Sequence, residues 1–514
     1  MGEIGTSALM TDYDVIVIGS GMGGLTSAAL LAKAGKSVLI LEAHDRPGGY
    51  AHGFKRKKYH FDSGVHLISG CDKQGYCGGQ VIYKTLKALA LLDDIEFINI
   101  NPFSHAFYPE LSIALPQEIS AFVSQLSQQF PTEKQGLQAL LKLCLQLAEE
   151  ITIADEMMAK IDHQQAIKLM PGLFKYRKST LGDVAKLFIN DPKLLAVFAS
   201  NWPYLGLPPS QVSFVYWSTM LMGYMVDGAY YCKGGFQQLA NTLVKGLQGN
   251  GGEICYKSSV EKIMIAQGQV LGVELKGQQL SAPIVISNAD IRNTVCNMAG
   301  EQYFPPRFVQ KIKTMQQSLS IFVVYLATNL DLKALNIHHE SFCYSDFNHD
   351  KNFAKTQQGI ISWLSITAPT LVDSSLAPEG EHLLMLTTLL PFQSAEYCKQ
   401  SKTRYIQTML TLAEQTIPNL QQHLLFVEGG SPATMQRYTQ NYKGAAYGWD
   451  VTPSQVGPAR IQNQSPIKGL FFSGHWTAPG GGVYGVSVSG VQTAQKVLGI
   501  AKQSDFFKKI SQGT

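Results

Sequence analysis

A glycine-rich segment near the beginning of the chain has the residue types and the spacing that bind a pyrophosphate. The β-branched residues 15–18 lead into Gly19, Gly21, Gly23 and Gly24, and an alanine- and leucine-rich stretch follows. In a GxGxxG segment the first glycine permits a tight turn, the second lets main-chain amides approach the phosphates, and the third lets the helix pack on the strand. The start of the helix adds partial positive charge. We therefore predict a phosphate-binding cradle here.

The strand that follows this helix ends in an acidic residue. Gly35 stops the helix, a second strand with an apolar core is predicted at residues 37–41, and Glu42 and Ala43 come next. An acid at this position accepts hydrogen bonds from the ribose hydroxyls of a dinucleotide, and Ala43 lies beside it. Strand, helix, second strand and terminal acid are all in order, which predicts a βαβ unit that binds a dinucleotide.

The residues directly after this unit distinguish FAD from NAD. Arg46 is followed by Pro47 and by two glycines, Gly48 and Gly49. Two glycines let the main chain pass close to the ribityl and phosphate groups of a long cofactor. This arrangement is typical of FAD enzymes and is unnecessary for NAD, so we expect FAD.

A second glycine cluster lies more than four hundred residues later. An apolar strand at residues 470–472 ends in Gly474, and glycines at 480–482 precede a helix that we expect from Val483 to Leu498. We predict that Gly474, Gly482 and Val483 contact the cofactor, because a second helix start suits the flavin edge where negative charge collects on reduction. No cysteine follows Cys398, so we expect the FAD to be bound non-covalently.

Together the two ends of the chain resemble the flavin-dependent superfamily of phytoene desaturases, carotenoid isomerases and retinol saturases, whose fold is related to that of the amine oxidases. The resemblance covers nearly the whole chain. Its motifs follow one another in the family order: HFDSGVH at 60–66, KGGF at 233–236, SNA at 287–289, GSP at 430–432 and GAAYG at 444–448. It implies that Val65 and His66 lie beside the flavin. It also implies that Val260, at the start of a predicted hairpin, contacts the adenine.

The fold class implied is α/β, a Rossmann-like FAD-binding domain of the glutathione-reductase type with an inserted α+β substrate domain. We expect the FAD-binding domain to comprise residues 11–100, 228–304 and 425–500, and the substrate domain residues 101–227 and 305–424. The alternating pattern at 259–275 predicts a hairpin that turns at 267–268, and residues 283–287 predict a buried strand. Within the substrate domain, helices are expected at 136–153 and 405–415, and strands at 321–327 and 382–390.

Composition excludes several classes of protein. The 514 residues are 45% hydrophobic and carry 42 basic against 38 acidic side chains, a net charge of +4 that is too small and diffuse for a nucleic-acid partner. The eight cysteines, Cys71 and Cys77 among them, form no CxxC pair and no zinc-ligand cluster. We expect free thiols, no metal site and a cytoplasmic location, since no signal peptide is apparent.

An apolar polyene is the expected substrate, with the membrane surface as a second partner. Aromatic and methionine side chains crowd residues 202–231, and the apolar segment 213–226 fits either a buried helix or the wall of a substrate tunnel. His66 and Tyr447 are the candidates for proton transfer. Saturation, desaturation and cis/trans isomerisation remain open, and so does the oligomeric state. A flavin amine oxidase and a non-catalytic lipid or prenyl carrier on the same fold are the alternatives.

Overall fold

The computed structural model describes residues 12–73, 80–157 and 162–512. Its α-helices, in chain order, are α1 Met22–Lys33, α2 Val81–Ala88, α3 Ile119–Gln129, α4 Lys134–Met157, α5 His163–Leu169, α6 Pro171–Tyr176, α7 Leu181–Ala185, α8 Pro192–Phe198, α9 Phe214–Val226, α10 Gln237–Gly249, α11 Pro306–Thr314, α12 His349–Gln357, α13 Ala395–Ala413, α14 Pro432–Thr439, α15 Val483–Val497 and α16 Gln503–Gln512. Cys77 lies outside the described residues.

The strands, in the same order, are β1 Val15–Ile18, β2 Val38–Leu41, β3 Gly53–Arg56, β4 Tyr59–Asp62, β5 Phe97–Asn99, β6 Ser104–Tyr108, β7 Leu111–Leu115, β8 Tyr230–Cys232, β9 Glu253–Cys255, β10 Lys262–Ala266, β11 Gln269–Leu275, β12 Gln278–Ser281, β13 Ile284–Ser287, β14 Ser320–Thr328, β15 Glu340–Tyr344, β16 Trp363–Thr367, β17 His382–Leu390, β18 Leu424–Gly430 and β19 Leu470–Phe472.

A parallel sheet with the order β19-β13-β1-β2-β9 supports the glycine clusters. Its inner strands β1 and β2 are buried at every residue, which explains why their sequences, VIVI and VLIL, are apolar without alternation. Helix α1 covers one face and packs between α10 and α15. The glycines after β1 and after β19 therefore lie at the same carboxyl edge of one sheet.

Strands distant in the sequence assemble this sheet, as the expected discontinuous domain requires. Strand β13 pairs in parallel with both β1 and β19, so the predicted strand at 283–287 is confirmed. Strands β10 and β11 form the predicted antiparallel hairpin, which turns at Gln267 and Gly268 with φ values of 49° and 75°. Positive φ at both turn residues matches the right-handed twist of the two strands.

A mixed sheet with the order β18-β14-β17-β16-β15-β6-β7 forms the other layer. Alternate residues of β14 face two different cores: Ile321 and Val323 pack towards the FAD-binding domain, and Phe322 packs against α13. Strand β18 pairs with β14. The domain boundary expected at residue 425 therefore differs from the structure, because residues 424–430 complete the substrate sheet before the chain returns to the cofactor.

Helix α9 corresponds to the apolar segment 213–226, for which the sequence allowed two interpretations, a buried helix or the wall of a substrate tunnel. Ser213 caps it by accepting a hydrogen bond from the backbone N–H of Tyr216, and most of its residues are buried. Helix α4 extends beyond the predicted range 136–153 at both ends, and α13 begins ten residues before the predicted range 405–415 and ends at Ala413. Across the described ranges, no helix combines the length and the apolar character needed to cross a membrane.

Candidate active site

One large cavity lies between the two sheets and contains nearly every residue that the sequence singled out. Its volume is about 1930 Å³, roughly twice the upper end of the ~300–1,000 Å³ range usual for small-molecule sites. The predicted residues that line it are Gly19, Gly21, Gly23, Glu42, Ala43, Arg46, Gly48, Gly49, Val65, His66, Val260, Tyr447, Gly474, Gly482 and Val483. The cavity can accommodate more than one ligand.

Gly24 is the exception, because it does not line the cavity. It lies in the first turn of α1, and a Cβ there would lie 2.3 Å from the carbonyl oxygen of Gly19. The position holds the helix against the end of β1. This close approach agrees with the packing role that the glycine spacing predicts for Gly24, and contact of Gly24 with the cofactor stays a prediction.

The N-terminal cradle is an uncapped helix start that faces the cavity. Gly19 turns the chain with a φ of 89°, and Gly21 precedes α1 without a side-chain hydrogen bond from any described residue. The N–H groups of the first helical turn have no partner within the helix, so they remain available for an anion.

The glycines after Arg46 lie against this cradle. The N–H of Gly48 donates to the carbonyl of Ser20 at 2.9 Å, and Gly48 has a φ of 116° that disfavours a side chain. A Cβ at Gly49 would lie 3.2 Å from the Cα of Gly21. The guanidinium of Arg46 is bonded to Asp45 and to the carbonyl of Gly53. The loop that contains Gly48 and Gly49 and the loop that contains Gly19 and Gly21 thus form one continuous wall of the cavity.

Glu42 is held in place by neighbouring donors. Its Oε2 accepts hydrogen bonds from the N–H and the hydroxyl of Ser20, both at 2.6 Å, and its Oε1 accepts one from the N–H of His44 at 2.7 Å. A carboxylate has about four acceptor sites, so capacity for a ribose hydroxyl remains. These bonds fix the carboxylate at the cavity edge.

The C-terminal glycine cluster meets the N-terminal one directly. A Cβ at Gly23 would lie 2.8 Å from the backbone nitrogen of Gly474 and 2.8 Å from the hydroxyl of Ser473. Gly482 precedes α15 with a φ of 78°, and no described side chain caps that helix. The sheet therefore brings two uncapped helix starts to one cavity from opposite ends of the sequence.

Asn288 lies between the two clusters, and the sequence analysis did not include it in the site. Its side chain is the nearest neighbour of both Gly21 and Gly474, with its amide nitrogen 2.6 Å from where a Cβ of Gly21 would be. Its Oδ1 and the hydroxyl of Ser473 are buried and lack hydrogen-bond partners among the described residues. The signal that could have found Asn288 is its position directly after β13.

Arg460, also absent from the predicted site, holds the C-terminal loop in shape. It is completely buried, and its guanidinium donates to the carbonyls of His475 at 2.7 Å and Thr477 at 2.8 Å. Burial lowers the pKa of Arg460 to about 10, so the side chain stays charged at neutral pH. Burial, followed by the charge of Arg460, lowers the pKa of His475 to about 3, so that imidazole is neutral.

Two motifs of the family resemblance are joined by one buried carboxylate. Asp62, from the segment 60–66, accepts a hydrogen bond from the hydroxyl of Tyr231 and another from the N–H of Phe236, both at 2.7 Å. Burial raises the pKa of Asp62 to about 6. The bonds fix the loop that carries Val65 and His66 against the KGGF turn.

These features fit a bound FAD. Two helix starts offer free N–H groups for its phosphates and its flavin edge, and buried polar atoms at Asn288 and Ser473 lack partners that a cofactor or water would supply. The glycines of both clusters lie at positions where a side chain would narrow the cavity. The bound cofactor would supply the electron chemistry, and the chain would orient it and exclude water.

The two candidate proton-transfer residues differ in what they contact. The Nδ1 atom of His66 lies 2.8 Å from Oε2 of Glu340. The hydroxyl of Tyr447 donates to the carbonyl of Pro203 at 2.9 Å, and burial raises the pKa of Tyr447 well above its ordinary value. Because the hydroxyl proton of Tyr447 is already bonded to that carbonyl, His66 is the better placed of the two candidates for proton transfer.

Beyond the glycine clusters the cavity continues between α9 and the substrate sheet. Its walls there are mainly apolar and aromatic, formed by Met170, Tyr204, Tyr216, Met220, Tyr224, Phe342 and Trp363. Other members of the aromatic and methionine group, such as Trp202, Trp217 and Met222, are buried in the core and do not line the cavity. Helix α9 is thus both a buried helix and a cavity wall.

Residues 22–498 match the family described as flavin containing amine oxidoreductase. Prolycopene isomerase of Daucus carota is 29% identical over 96% of this chain and 82% of its own length. All-trans-retinol 13,14-reductase of Danio rerio is 28% identical over 91% of this chain and 83% of its own length. An oxidoreductase from Methanosarcina mazei has the same fold, with a TM-score of 0.62 at 19% identity over 94% of this chain and 99% of that one.

Proposed function

This chain belongs to the flavin containing amine oxidoreductase family, and we propose that it is an FAD-dependent enzyme that isomerises or reduces a carbon–carbon double bond of a long apolar polyene. The observation that carries the proposal is the single cavity, which runs from both glycine clusters to an apolar arm under α9. The similar proteins named above act on a carotenoid and on a retinoid, and both of those substrates are conjugated polyenes.

The apolar arm suits a hydrocarbon better than an amine. Aromatic rings and thioethers are polarisable and solvate a conjugated chain, and Tyr204, Tyr224 and Met220 supply such groups. Where the arm approaches the loop 64–69, His66 is the group whose ordinary pKa permits proton transfer near neutrality. Proton donation by His66, exclusion of water and orientation of the polyene are the contributions expected from the chain itself.

Product analysis tests this proposal. The purified holoenzyme, with its flavin oxidised or reduced, is incubated with a cis-carotenoid or with all-trans-retinol, and products are separated by chromatography and weighed by mass spectrometry. Unchanged mass with altered retention identifies an isomerase, and a gain of two hydrogens identifies a reductase. A loss of two hydrogens identifies a desaturase and would contradict the assignment. Conversion of primary amines with peroxide release, and no conversion of polyenes, would instead favour an amine oxidase.

We further propose that the enzyme takes its substrate from a membrane surface. The outer end of the cavity is lined by cations, Lys84, Lys87, Arg177, Lys496 and Lys508, with Glu156 as the acid among them. Glu156 caps the start of α16 through Ser504. Ile167 and Leu169 of α5, which lie next in the chain to the cavity-lining Met170, are 41% and 43% exposed. A basic rim with exposed apolar side chains favours contact with anionic lipid.

Liposome flotation tests the membrane proposal. Wild-type protein should float with vesicles that contain phosphatidylserine and float less with neutral vesicles or in high salt. The charge-reversal variant Lys87→Glu/Lys508→Glu should float less. Lys262→Glu, a change at an exposed lysine that does not line the cavity, should behave as wild type. Protein that remains at the bottom of every gradient would contradict the proposal.

A further inference from the structure

A carboxylate that the sequence did not single out lies behind His66. Glu340 begins β15, is entirely buried, and places Oε2 2.8 Å from Nδ1 of His66. The same oxygen accepts a hydrogen bond from the hydroxyl of Thr367 at 2.9 Å. Thr367 is the residue opposite Glu340 in the antiparallel pair β15–β16. The register of the sheet therefore fixes the carboxylate against the imidazole.

The other oxygen of this carboxylate has no well-aligned donor. Oε1 of Glu340, the hydroxyl of Tyr204 and Nδ1 of His66 are all sealed from solvent, and none makes a well-aligned hydrogen bond within the part of the chain that the structure describes. The contact between Nδ1 of His66 and Oε2 of Glu340 is therefore an ion-pair contact at 2.8 Å. The ring of Tyr204 lies 6.4 Å from the ring of His66 and lines the cavity. Burial, followed by the charge of Glu340, raises the pKa of Tyr204 well above its ordinary value. Buried polar groups left unpaired are costly, so each one calls for an explanation such as a bound ligand, a water molecule or a role in catalysis.

The groups that face His66 come from several elements. Glu340 approaches from β15 and Asp62 from β4, while Tyr204 lies across the cavity. The Nε2–H of His339 donates to the carbonyl of His66 at 2.8 Å, and burial lowers the pKa of His339 to about 4, so that ring is neutral. Burial opposes a charge on His66, but Glu340 and then Asp62 favour it, and the pKa of His66 is raised overall.

We propose that Glu340 is a positioning residue for His66: it binds Nδ1, favours the imidazolium, and leaves Nε2 to face the polyene as the proton donor. This inference rests on the proposed function. In the step, the Nε2–H bond breaks and a C–H bond forms at one carbon of the conjugated chain. The positive charge passes from the imidazolium to the polyene, and Glu340 stays ionised throughout. Return of the proton after rotation about the former double bond restores His66 and leaves the mass unchanged.

A titration of His66 tests the positioning role without any substrate. Histidine-labelled holoenzyme is titrated by NMR, and the signal is assigned by its absence in His66→Gln. Glu340→Gln keeps the shape and the acceptor for Thr367 but removes the charge, so it should lower the pKa of His66 by about 1 or more. Glu133→Gln is the matched control, because Glu133 is also a buried carboxylate, bonded to the N–H of Asn190 and outside the cavity. An unchanged His66 pKa in Glu340→Gln would overturn the proposal.

The pH profile of turnover tests the catalytic use of the pair. With the imidazolium as donor, activity is lost as pH rises through the pKa of His66, and this loss should occur at lower pH in Glu340→Gln. At neutral pH kcat should fall by about tenfold or more, with little change in KM or flavin content, and His66→Gln/Glu340→Gln should be no slower than His66→Gln. An equal decrease at every pH, together with lost flavin, would show a merely structural role and reject the proposal.

Glu340→Asp keeps the test informative if Glu340→Gln does not fold. Aspartate retains the charge but is one methylene shorter, so His66 should stay protonated over the same pH range while kcat falls because the ring is no longer held. A full wild-type kcat in Glu340→Asp would overturn the positioning role. If wild-type enzyme converts no polyene and the titration still shifts in Glu340→Gln, the proposed function fails and the pairing of Glu340 with His66 stands.

Discussion

Adding one methyl group at Gly24, a position that does not line the cavity, should destabilise the protein. A Cβ at this position would lie 2.3 Å from the carbonyl oxygen of Gly19 and 3.1 Å from the Cβ of Asn288. Neither neighbour can move easily, because the N–H of Gly19 is bonded to Leu41 and that of Asn288 to Ile18, both at 2.9 Å. Relief of the clash requires helix α1 to shift by about 1 Å relative to β1, since ordinary carbon contacts are ~3.5 Å or longer.

The cost of this shift can be compared with overpacked cores, where extra methylenes typically destabilise by about 1–3 kcal/mol. We expect Gly24→Ala to fall at the upper end, because the opposing atom belongs to the backbone of the central strand. A loss of about 3 kcal/mol changes the ratio of folded to unfolded protein by roughly 150-fold. Urea denaturation of the flavin-free protein, followed by circular dichroism, measures this difference.

Gly21→Ala is the matched control in the same loop. Its Cβ would meet the amide nitrogen of Asn288 at 2.6 Å, and a side-chain amide can rotate away. Gly21 lines the cavity, so this variant should keep the stability of the flavin-free protein but bind less flavin, measured by absorbance. Equal stability of Gly24→Ala and wild type, or equal losses in the two variants, would refute the assignment of separate packing and binding roles.

The same site gives three further predictions. Acid precipitation should release all flavin into the supernatant, because no cysteine follows Cys398; colour in the pellet would contradict non-covalent binding. Burial raises the pKa of Asp62 to about 6 from 3.8, so the free energy of unfolding of the wild type should fall by about 2 kcal/mol through this group as pH rises from 4.5 to 7. Asp62→Asn cannot ionise, so it should gain stability relative to wild type by about that amount in urea denaturation at pH 7 compared with pH 4.5; a pH-independent difference would count against this. Arg460→Leu should lower both the melting temperature and the flavin content, because the carbonyls of His475 and Thr477 lose their donor; the change Arg437→Leu, which removes an arginine outside the cavity, should alter neither.

Features that depend on neighbours along the chain could be predicted from the sequence alone. The βαβ unit was predicted from the apolar run before Gly19, from the glycine spacing and from Glu42. Each of these signals depends only on residues within one turn or one strand. The alternation at 259–275 predicted the hairpin β10–β11 for the same reason. The two glycine clusters were each recognised from a strand followed by a helix start. Their meeting at Gly23 and Gly474 follows from the parallel sheet that joins β1 to β19 through β13.

The polar side chains that complete the site could be identified only from the folded chain. Arg460 and Glu340 occur in segments with no distinguishing local pattern, and Asn288 occurs in the motif SNA, whose contacts the sequence does not show. Asn288 contacts both glycine clusters, Arg460 holds the loop at 475–477, and Glu340 contacts His66. The predicted domain boundary at residue 425 differed from the structure for a similar reason, because β18 pairs with β14, a strand nearly a hundred residues earlier in the chain. Periodicity reports which face of an element is buried, whereas the register between distant strands decides what a buried polar group contacts.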